Sequence, residues 1–366
     1  MNDFAPAALL EIDLNAVAAN WRLLAASHAG FTAGVIKADG YGLGAGYVAT
    51  ALYDTGCRNF FTAHLSEAVA VRRLIPQAMV AVLNGLLPGE EAEYVAKNVV
   101  PVLGSLAEIA LWRAEAARLG RVLTAIIHVD TGMARLGLSL QDAQALQDDP
   151  SLLDGIVVAY VMTHLVSADA PGDPMNERQR LRFEEMRRYF PPALLTSLAN
   201  SSGMFLGPGF ASDLARPGAA LYGVNPTPEQ KNPMRPVVRL KARILQVHDV
   251  EPGETVGYNG YWTAMRPSRI ATLGVGYADG YLRSLSNRGT AIFDAAPVPL
   301  VGRVSMDLIT FDVTDTRAQT GEMLELIGPG HDLDALAIEA GTNAYEILTS
   351  LGRRYTRQYS GNISGV

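Results

Sequence analysis

Between residues 30 and 225, eight short apolar runs alternate with stretches of helical periodicity, a rhythm that few folds satisfy. The runs are Ala33 to Lys37, Asn59 to Ala63, Met79 to Leu83, Val99 to Leu103, Leu123 to Val129, Val157 to His164, Leu195 to Ala199 and Ala219 to Tyr222. Between them lie amphipathic segments such as Ser66 to Ile75, Ser105 to Leu119 and Asn176 to Tyr189. Parallel strands are covered by crossover helices on both faces and so read as unbroken apolar runs. Repeated βα units of this number predict an α/β fold closed into a (β/α)8 barrel of the TIM type, with its functional groups at the carboxyl ends of the strands.

Polar residues do gather where the runs end: Lys37, His64, Asn84, Asp130 with Arg135, His164, Asn200 with Ser201, and Arg216 just before the last run. After about Asn232 the texture changes to β-rich runs such as VVRLKARILQVHDV, RIATLGVGYADG, PVPLVGRVSMDLITFDV and EMLELIG, separated by Pro, Gly and Asp. These predict a separate all-β unit, with the boundary in the proline cluster between Asn225 and Pro236.

Composition excludes several classes of partner. The chain of 366 residues is 49% apolar, enough for a large core, and its formal net charge of -7 carries no basic run. Nucleic acid and anionic membrane are therefore not expected partners. The opening MNDFAPAALLEIDL has no basic n-region, and no apolar run approaches the roughly 20 residues that span a bilayer. The single cysteine, Cys57, cannot form an intrachain disulfide and reads as a small buried core residue. A cytoplasmic location is the expectation. The six histidines show no His-x-x-x-His spacing, so no metal site is expected.

The segment VIKADGYGLG, Val35 to Gly44, places Lys37 where a buried strand gives way to a glycine-rich turn. Desolvation lowers a lysine's pKa, and a neutral amine can form a Schiff base; a lone lysine at a strand end is otherwise one that snorkels to solvent. A dinucleotide-binding reading fails on spacing, because Gly40 and Gly42 want a third glycine where Ala45 stands. The barrel brings Lys37 and Tyr41 to one rim with VDTGMARLG, VMTH, LANSSG and ARPGAALYG, combining an amine, hydroxyls, backbone N–H groups and arginines. Such a set suits pyridoxal phosphate.

Over essentially its whole length the chain resembles the bacterial alanine racemases, a pyridoxal-phosphate-dependent barrel family, with about seven motifs in the family's order. The resemblance implies that Lys37 tethers the cofactor and that Tyr41, Ser201, Gly218, Ala219 and Tyr345 hold its phosphate, beside Asn200. It implies that His164 hydrogen-bonds to Arg216, that Arg216 faces the pyridine nitrogen, and that Arg135 contacts the phenolic oxygen and the substrate. From the β unit, TVGYNG supplies Tyr258 as the second base, RVSMD supplies Met306 and Asp307 near the substrate carboxylate, and GYADGYLR places Tyr277 and Arg283, with Tyr345, along the passage into the site. Singly, Tyr258 reads as a surface turn residue, Met306 as core, Asp307 as a strand-end cap and His164 as a satisfied buried histidine. The resemblance also implies an N-terminal strand, 1–12, joined to the β unit, a barrel over 13–232, a mostly-β domain over 233–366, and a head-to-tail homodimer with shared sites. The implied activity interconverts L- and D-alanine, with Lys37 on one face and Tyr258 on the other, supplying D-alanine for peptidoglycan.

Two positions depart from the family pattern. His128 stands where relatives often have a carbon-dioxide-modified lysine that orients the arginine equivalent to Arg135. A cationic histidine there would repel Arg135, so His128 is expected to be neutral. Ser305 stands where many relatives have cysteine, so insensitivity to thiol reagents is expected. Three other readings remain open. A racemase of broad small-amino-acid specificity differs by only about 1–3 kcal/mol in a pocket. A basic amino-acid decarboxylase usually carries a glycine-triplet phosphate loop and a Cys-Asp motif, absent here, and a noncatalytic cofactor carrier lacks the β unit.

Overall fold

The computed structural model describes residues 6–361. The first residues of the opening read for a leader, 1–5, and the last of the C-terminal unit, 362–366, lie outside the described residues.

Seven parallel strands follow one another in space as they do in sequence: Gly34–Val35, Asn59–Thr62, Met79–Val82, Val100–Leu103, Leu123–His128, Ile156–Met162 and Leu195–Ser197. Their alternate residues divide two cores. Val35, Phe61, Ala81, Val102, Ile126, Tyr160 and Met162 fill the barrel interior, while their neighbours Phe60, Val80, Leu103, Ile127 and Val161 pack outward under the helices. Outer helices start and stop on local chemistry. Leu106–Leu119 begins where the Ser105 hydroxyl accepts the Glu108 amide at 3.2 Å, buries Ile109, Trp112 and Ala116 along one stripe, and ends at Gly120 with φ 61°.

The eighth strand is not where the apolar pattern puts it. Ala219–Tyr222 forms a turn of 3-10 helix, and the barrel closes instead through the two residues Leu214–Ala215, which pair in parallel with Phe31–Thr32. Ala33 N donates to Ala215 O at 2.9 Å and Arg216 N to Ala199 O at 2.8 Å, joining both neighbours. The AALY run is wholly buried without being extended, because Gly218 at φ −120°, ψ −88° and Gly223 at φ 89° bend the chain on both sides. Arg216 consequently follows the closing strand and joins the other rim residues at its carboxyl end.

The second unit is built on Val238–Val250, a strand of 13 residues bent by two register shifts, which pairs with Ala8–Asp13, Ser268–Leu273 and Met323–Ile327. Ala8–Asp13 lies between that strand and Thr356–Ser360. The unit is mostly β rather than all β. Two helices, Leu333–Ala340 and Ala344–Ser350, interrupt it, capped by Asp332 and Asn343. The second of them reaches the barrel rim and brings Tyr345 with it.

Candidate active site

The strand Gly34–Val35 runs into a turn, Lys37–Tyr41, wound the wrong way. Ala38, Asp39 and Gly40 lie at φ 54°, 54° and 63°, and Tyr41 follows at φ 54°, a left-handed course in which three residues carry a Cβ. Left-handed backbone costs about 1–2 kcal/mol for each such residue. Bonds on every side offset that strain. Gly42 N and Gly44 N donate to Ala38 O and Asp39 O at 2.7 and 2.8 Å, and Ala45 N donates to the Asp39 carboxylate at 2.8 Å. Glu67 accepts the Ala38 amide at 2.7 Å. From the second unit, Arg357 donates to Gly42 O at 2.7 Å and the Tyr359 hydroxyl to Leu43 O at 2.9 Å.

The turn opens on a cleft of about 390 Å³. Lys37, Tyr41, Arg135, His164, Asn200, Ser201, Arg216, Gly218, Ala219 and Tyr345 all line it, together with Ser202 and Glu346. Burial and the neighbouring Arg135 lower the Lys37 pKa, with Glu67 acting in the opposite sense. Arg216, 4% exposed, donates to the Ser197 hydroxyl and to Thr163 O. Desolvation lowers its pKa to about 10, which leaves it charged at neutral pH. His164 and His128 are pushed down to about 3 and about 4 by burial and by Arg216. The His128 departure therefore places a neutral ring beside Arg135. The link between His164 and Arg216 is electrostatic; the two guanidinium nitrogens with hydrogen bonds use Ser197 and Thr163.

One end of the cleft is a cradle of hydroxyls and backbone amides. The Ser201 hydroxyl accepts from Gly218 N at 2.9 Å and Ala220 N at 3.2 Å, at the start of the Ala219–Tyr222 turn. The Tyr41 ring stacks on Tyr222 at 4.6 Å and meets Tyr345 edge-on at 6.5 Å. Its hydroxyl stands where a Cβ on Gly218 would come within 2.2 Å, so only glycine admits the phenol. Hydroxyls, close-set backbone amides and a glycine-wide gap, a short reach from an amine of lowered pKa, match the donor set of a phosphorylated aldehyde cofactor. Asn200 shapes this wall, accepting Gly203 N at 2.9 Å.

Apart from Tyr345, the β-unit residues expected at the site, Tyr258, Met306, Asp307, Tyr277 and Arg283, do not line that cleft in their own chain. Tyr258 projects from the turn Tyr258–Gly260, 71% exposed. Met306 is 53% exposed and Tyr277 43%, and Tyr277 N and Ala278 N bind Ser305 O and Met306 O, both at 3.0 Å. Asp307 pairs with Arg354 at 2.8 Å, which also grips buried Asp279 through two nitrogens at 2.7 and 2.8 Å. Arg283 is exposed at the start of Arg283–Leu285. His64 and Asn84, rim residues by sequence, line a different cleft.

Sequence reasoning passed over Glu67, Ser197, Thr163 and Gln179. Gln179 is fully buried and donates to Thr131 Oγ1 at 3.1 Å and His164 O at 2.9 Å, tying the loops of Arg135 and His164 together. A glutamine in a polar helix gives no signal of this. Cys57 is buried and its thiol is pushed up to about 12, away from reactivity. Among the described residues no helix is long and apolar enough to cross a membrane, and no group of His, Cys, Asp and Glu is placed to hold a metal ion.

Comparison with known proteins places this geometry. The family described as "Alanine racemase, N-terminal domain" matches residues 12–226, and "Alanine racemase, C-terminal domain" matches residues 237–359. An alanine racemase of Acidiphilium cryptum is 59% identical over 349 residues, covering 95% of this chain and 97% of that protein. A relative from Mesorhizobium japonicum named "Alanine racemase, catabolic" is 48% identical, covering 99% of this chain and 95% of its own length. The crystal structure of alanine racemase from Bartonella henselae with covalently bound pyridoxal phosphate superposes with a TM-score of 0.94 at 39% identity, covering 97% of this chain and 100% of that one. The (β/α)8 barrel with its mostly-β companion, and the motifs arrayed on it, are those of an enzyme of the racemase class, and the chain belongs to the alanine racemase family.

Proposed function

We propose that the protein interconverts L- and D-alanine with pyridoxal phosphate tethered through Lys37. The observation that carries this reading is the single cleft that combines the amine of lowered pKa with the Ser201, Gly218 and Tyr41 cradle and the charged Arg216. The Bartonella relative, with its covalently bound cofactor, supports the same assignment. When bound, the cofactor supplies an aldehyde for amines and a ring that draws electrons from the α-carbon.

This chain's residues supply the remainder. Tyr41, Ser201, Gly218, Ala219 and Tyr345, with Asn200 beside them, would hold the phosphate. Arg216, charged at neutral pH, would face the ring nitrogen and disfavour its protonation, which would weaken the electron sink and favour proton return over side reactions. His164 stands beside it as a neutral ring. Arg135 would hold the phenolic oxygen and, with Met306 and Asp307, the substrate carboxylate. Racemisation needs a proton donor and an acceptor on opposite faces of the α-carbon, and Lys37 Nζ and the phenol of Tyr258 take these roles.

The exposure of Tyr258, Met306 and Tyr277 on the β unit supports a head-to-tail homodimer in which each cleft is completed by Tyr258 of the partner subunit. Tyr277, Arg283 and Tyr345 then line the passage for substrate. A division into a strand at 1–12, a barrel at 13–232 and a β domain at 233–366 agrees with this arrangement. The metabolic duty is supply of D-alanine for peptidoglycan in the cytoplasm; the name of the Mesorhizobium relative favours catabolism as a second reading.

The test is an absorbance spectrum of the purified protein, then borohydride reduction and peptide mapping, with racemisation of alanine, serine and lysine followed in parallel. Label on Lys37 with turnover of alanine in both directions is expected. Label elsewhere, or carbon dioxide released from lysine without racemisation, overturns the reading.

A further inference from the structure

Glu67 lies in the first turn of the helix Leu65–Arg72, one βα unit beyond the lysine. One of its carboxylate oxygens accepts Ala63 N and His64 N at 2.8 and 3.2 Å, tying down its own helix start. The other accepts the amide of Ala38 at 2.7 Å, the residue that follows Lys37 and opens the left-handed turn. A carboxylate is acceptor-only and can serve three N–H donors at once, which no neutral side chain of that length can do.

The same device occurs a second time. Glu108, in the first turn of Leu106–Leu119, accepts Gly104 N at 2.8 Å and the Ser105 hydroxyl at 3.0 Å with one oxygen, and Leu86 N at 2.9 Å with the other. Each glutamate thus bolts the loop after an earlier barrel strand to the start of its own helix. Only the first bolt ends on the lysine turn, which separates a structural function from a chemical one.

The charges around Lys37 sharpen the distinction. Arg135 and Arg216 contribute positive charge to the cleft, and His164, Tyr41 and Tyr345 are neutral. Asp39 is engaged with Ala45 N, and Glu346 with the hydroxyl of Thr342. Glu67 is the carboxylate that acts on the lysine itself.

We infer that Glu67 is a positioning residue for Lys37: its carboxylate locks the left-handed turn through the Ala38 amide and holds a negative charge against the turn that presents the lysine. The inference rests on the reading that Lys37 carries the cofactor.

Holoenzyme of wild type, Glu67→Gln and Glu108→Gln tests it, with Glu67→Asp as the second variant. Three readouts are compared: spectrophotometric pH titration of the lysine–cofactor chromophore, kcat and KM for alanine, and thermal unfolding. In Glu67→Gln the chromophore titrates at lower pH than in wild type, and kcat falls about 10- to 100-fold with KM nearly unchanged. Glu108→Gln loses thermal stability but keeps the wild-type titration and kcat. Glu67→Asp keeps the charge but is one methylene short of bridging both sets of amides, so its titration stays near wild type while kcat falls. A Glu67→Gln protein that matches Glu108→Gln in titration and kcat overturns the inference. If Glu67→Gln does not fold, wild-type kcat in Glu67→Asp overturns it, and reduced kcat at wild-type stability upholds it. Failure of wild type to yield borohydride label on Lys37 defeats the functional reading instead, independently of any Glu67 variant.

Discussion

The rim of the barrel and the lip of the β unit, the two halves of the proposed site, are built on opposite plans. At the rim, Lys37, Tyr41 and Arg216 converge on a recessed cleft and are braced by Glu67 and by the buried Tyr222, Ser197 and Thr163. At the lip, Tyr258, Tyr277 and Met306 face outward, and the bracing lies behind them in the Asp279–Arg354–Asp307 bridge. A preorganised cleft costs little to use, since its groups are ordered during folding. An exposed row of tyrosine and methionine instead fits a surface that acquires its surroundings by association.

Mixing variants makes the strongest attempt to break that division. Lys37→Ala and Tyr258→Phe are each expected to lose at least about 10³-fold in alanine racemisation in one or both directions, within the range for removing an acid–base group. Co-refolding the two inactive proteins should restore roughly a quarter of the wild-type activity, because half the dimers are mixed and one of their two sites receives both Lys37 and Tyr258. No recovery would mean that rim and lip serve each other within one chain.

A smaller effect is expected on the rim side alone from Gly218→Ala. Its methyl would stand 2.2 Å from the Tyr41 hydroxyl, and the ring cannot retreat because it is stacked on Tyr222. Displacing a packed group costs about 1–3 kcal/mol, so pyridoxal phosphate should be lost from the protein roughly 10- to 100-fold more readily on dialysis. Retention equal to wild type would remove Gly218 from the cradle.

The last effect concerns acid stability rather than activity or cofactor retention, and it separates the two regions again. His128 and His164 in the barrel have folded-state pKa values of about 4 and about 3, below the usual 6.5, so the unfolded chain binds protons first as pH falls. Their contribution is complete above pH 6.5 and is lost between there and the folded values, each costing about 1.4 kcal/mol per pH unit across that window. Urea unfolding at descending pH should show the barrel losing stability first, and His128→Asn should reduce the slope. A flat profile between pH 6.5 and 4.5 would mean that the rings are not held neutral.

Much of this was legible in linear form. The alternation of apolar runs located seven of the barrel strands, and the order of the motifs placed ten residues in one cleft. The eighth strand was not legible, because Leu214–Ala215 is two residues long and is defined by its pairing with distant Phe31–Thr32 and the flanking bonds to Ala33 and Ala199. Ala219–Tyr222 carried the stronger apolar signal and proved to be a buried turn, since burial selects for apolarity whatever the backbone does. Glu67 was passed over for a related reason. A glutamate in a first helical turn reads as an ordinary cap, and its partner Ala38 lies 29 positions earlier. The left-handed turn gave no warning either, because Ala38 and Tyr41 are not residues that choose φ near 54° unaided.

The sequence by itself determined the alternation that makes a barrel, the acidic and cysteine-poor composition, and the set of reactive side chains in their order along the chain. Those properties are local, written in periodicity and residue type. Only the tertiary structure decided where the barrel closes, which amides Glu67 holds and how Arg216 is seated. Each of these depends on groups tens to hundreds of positions apart meeting at hydrogen-bond distance, and no local pattern encodes such a meeting.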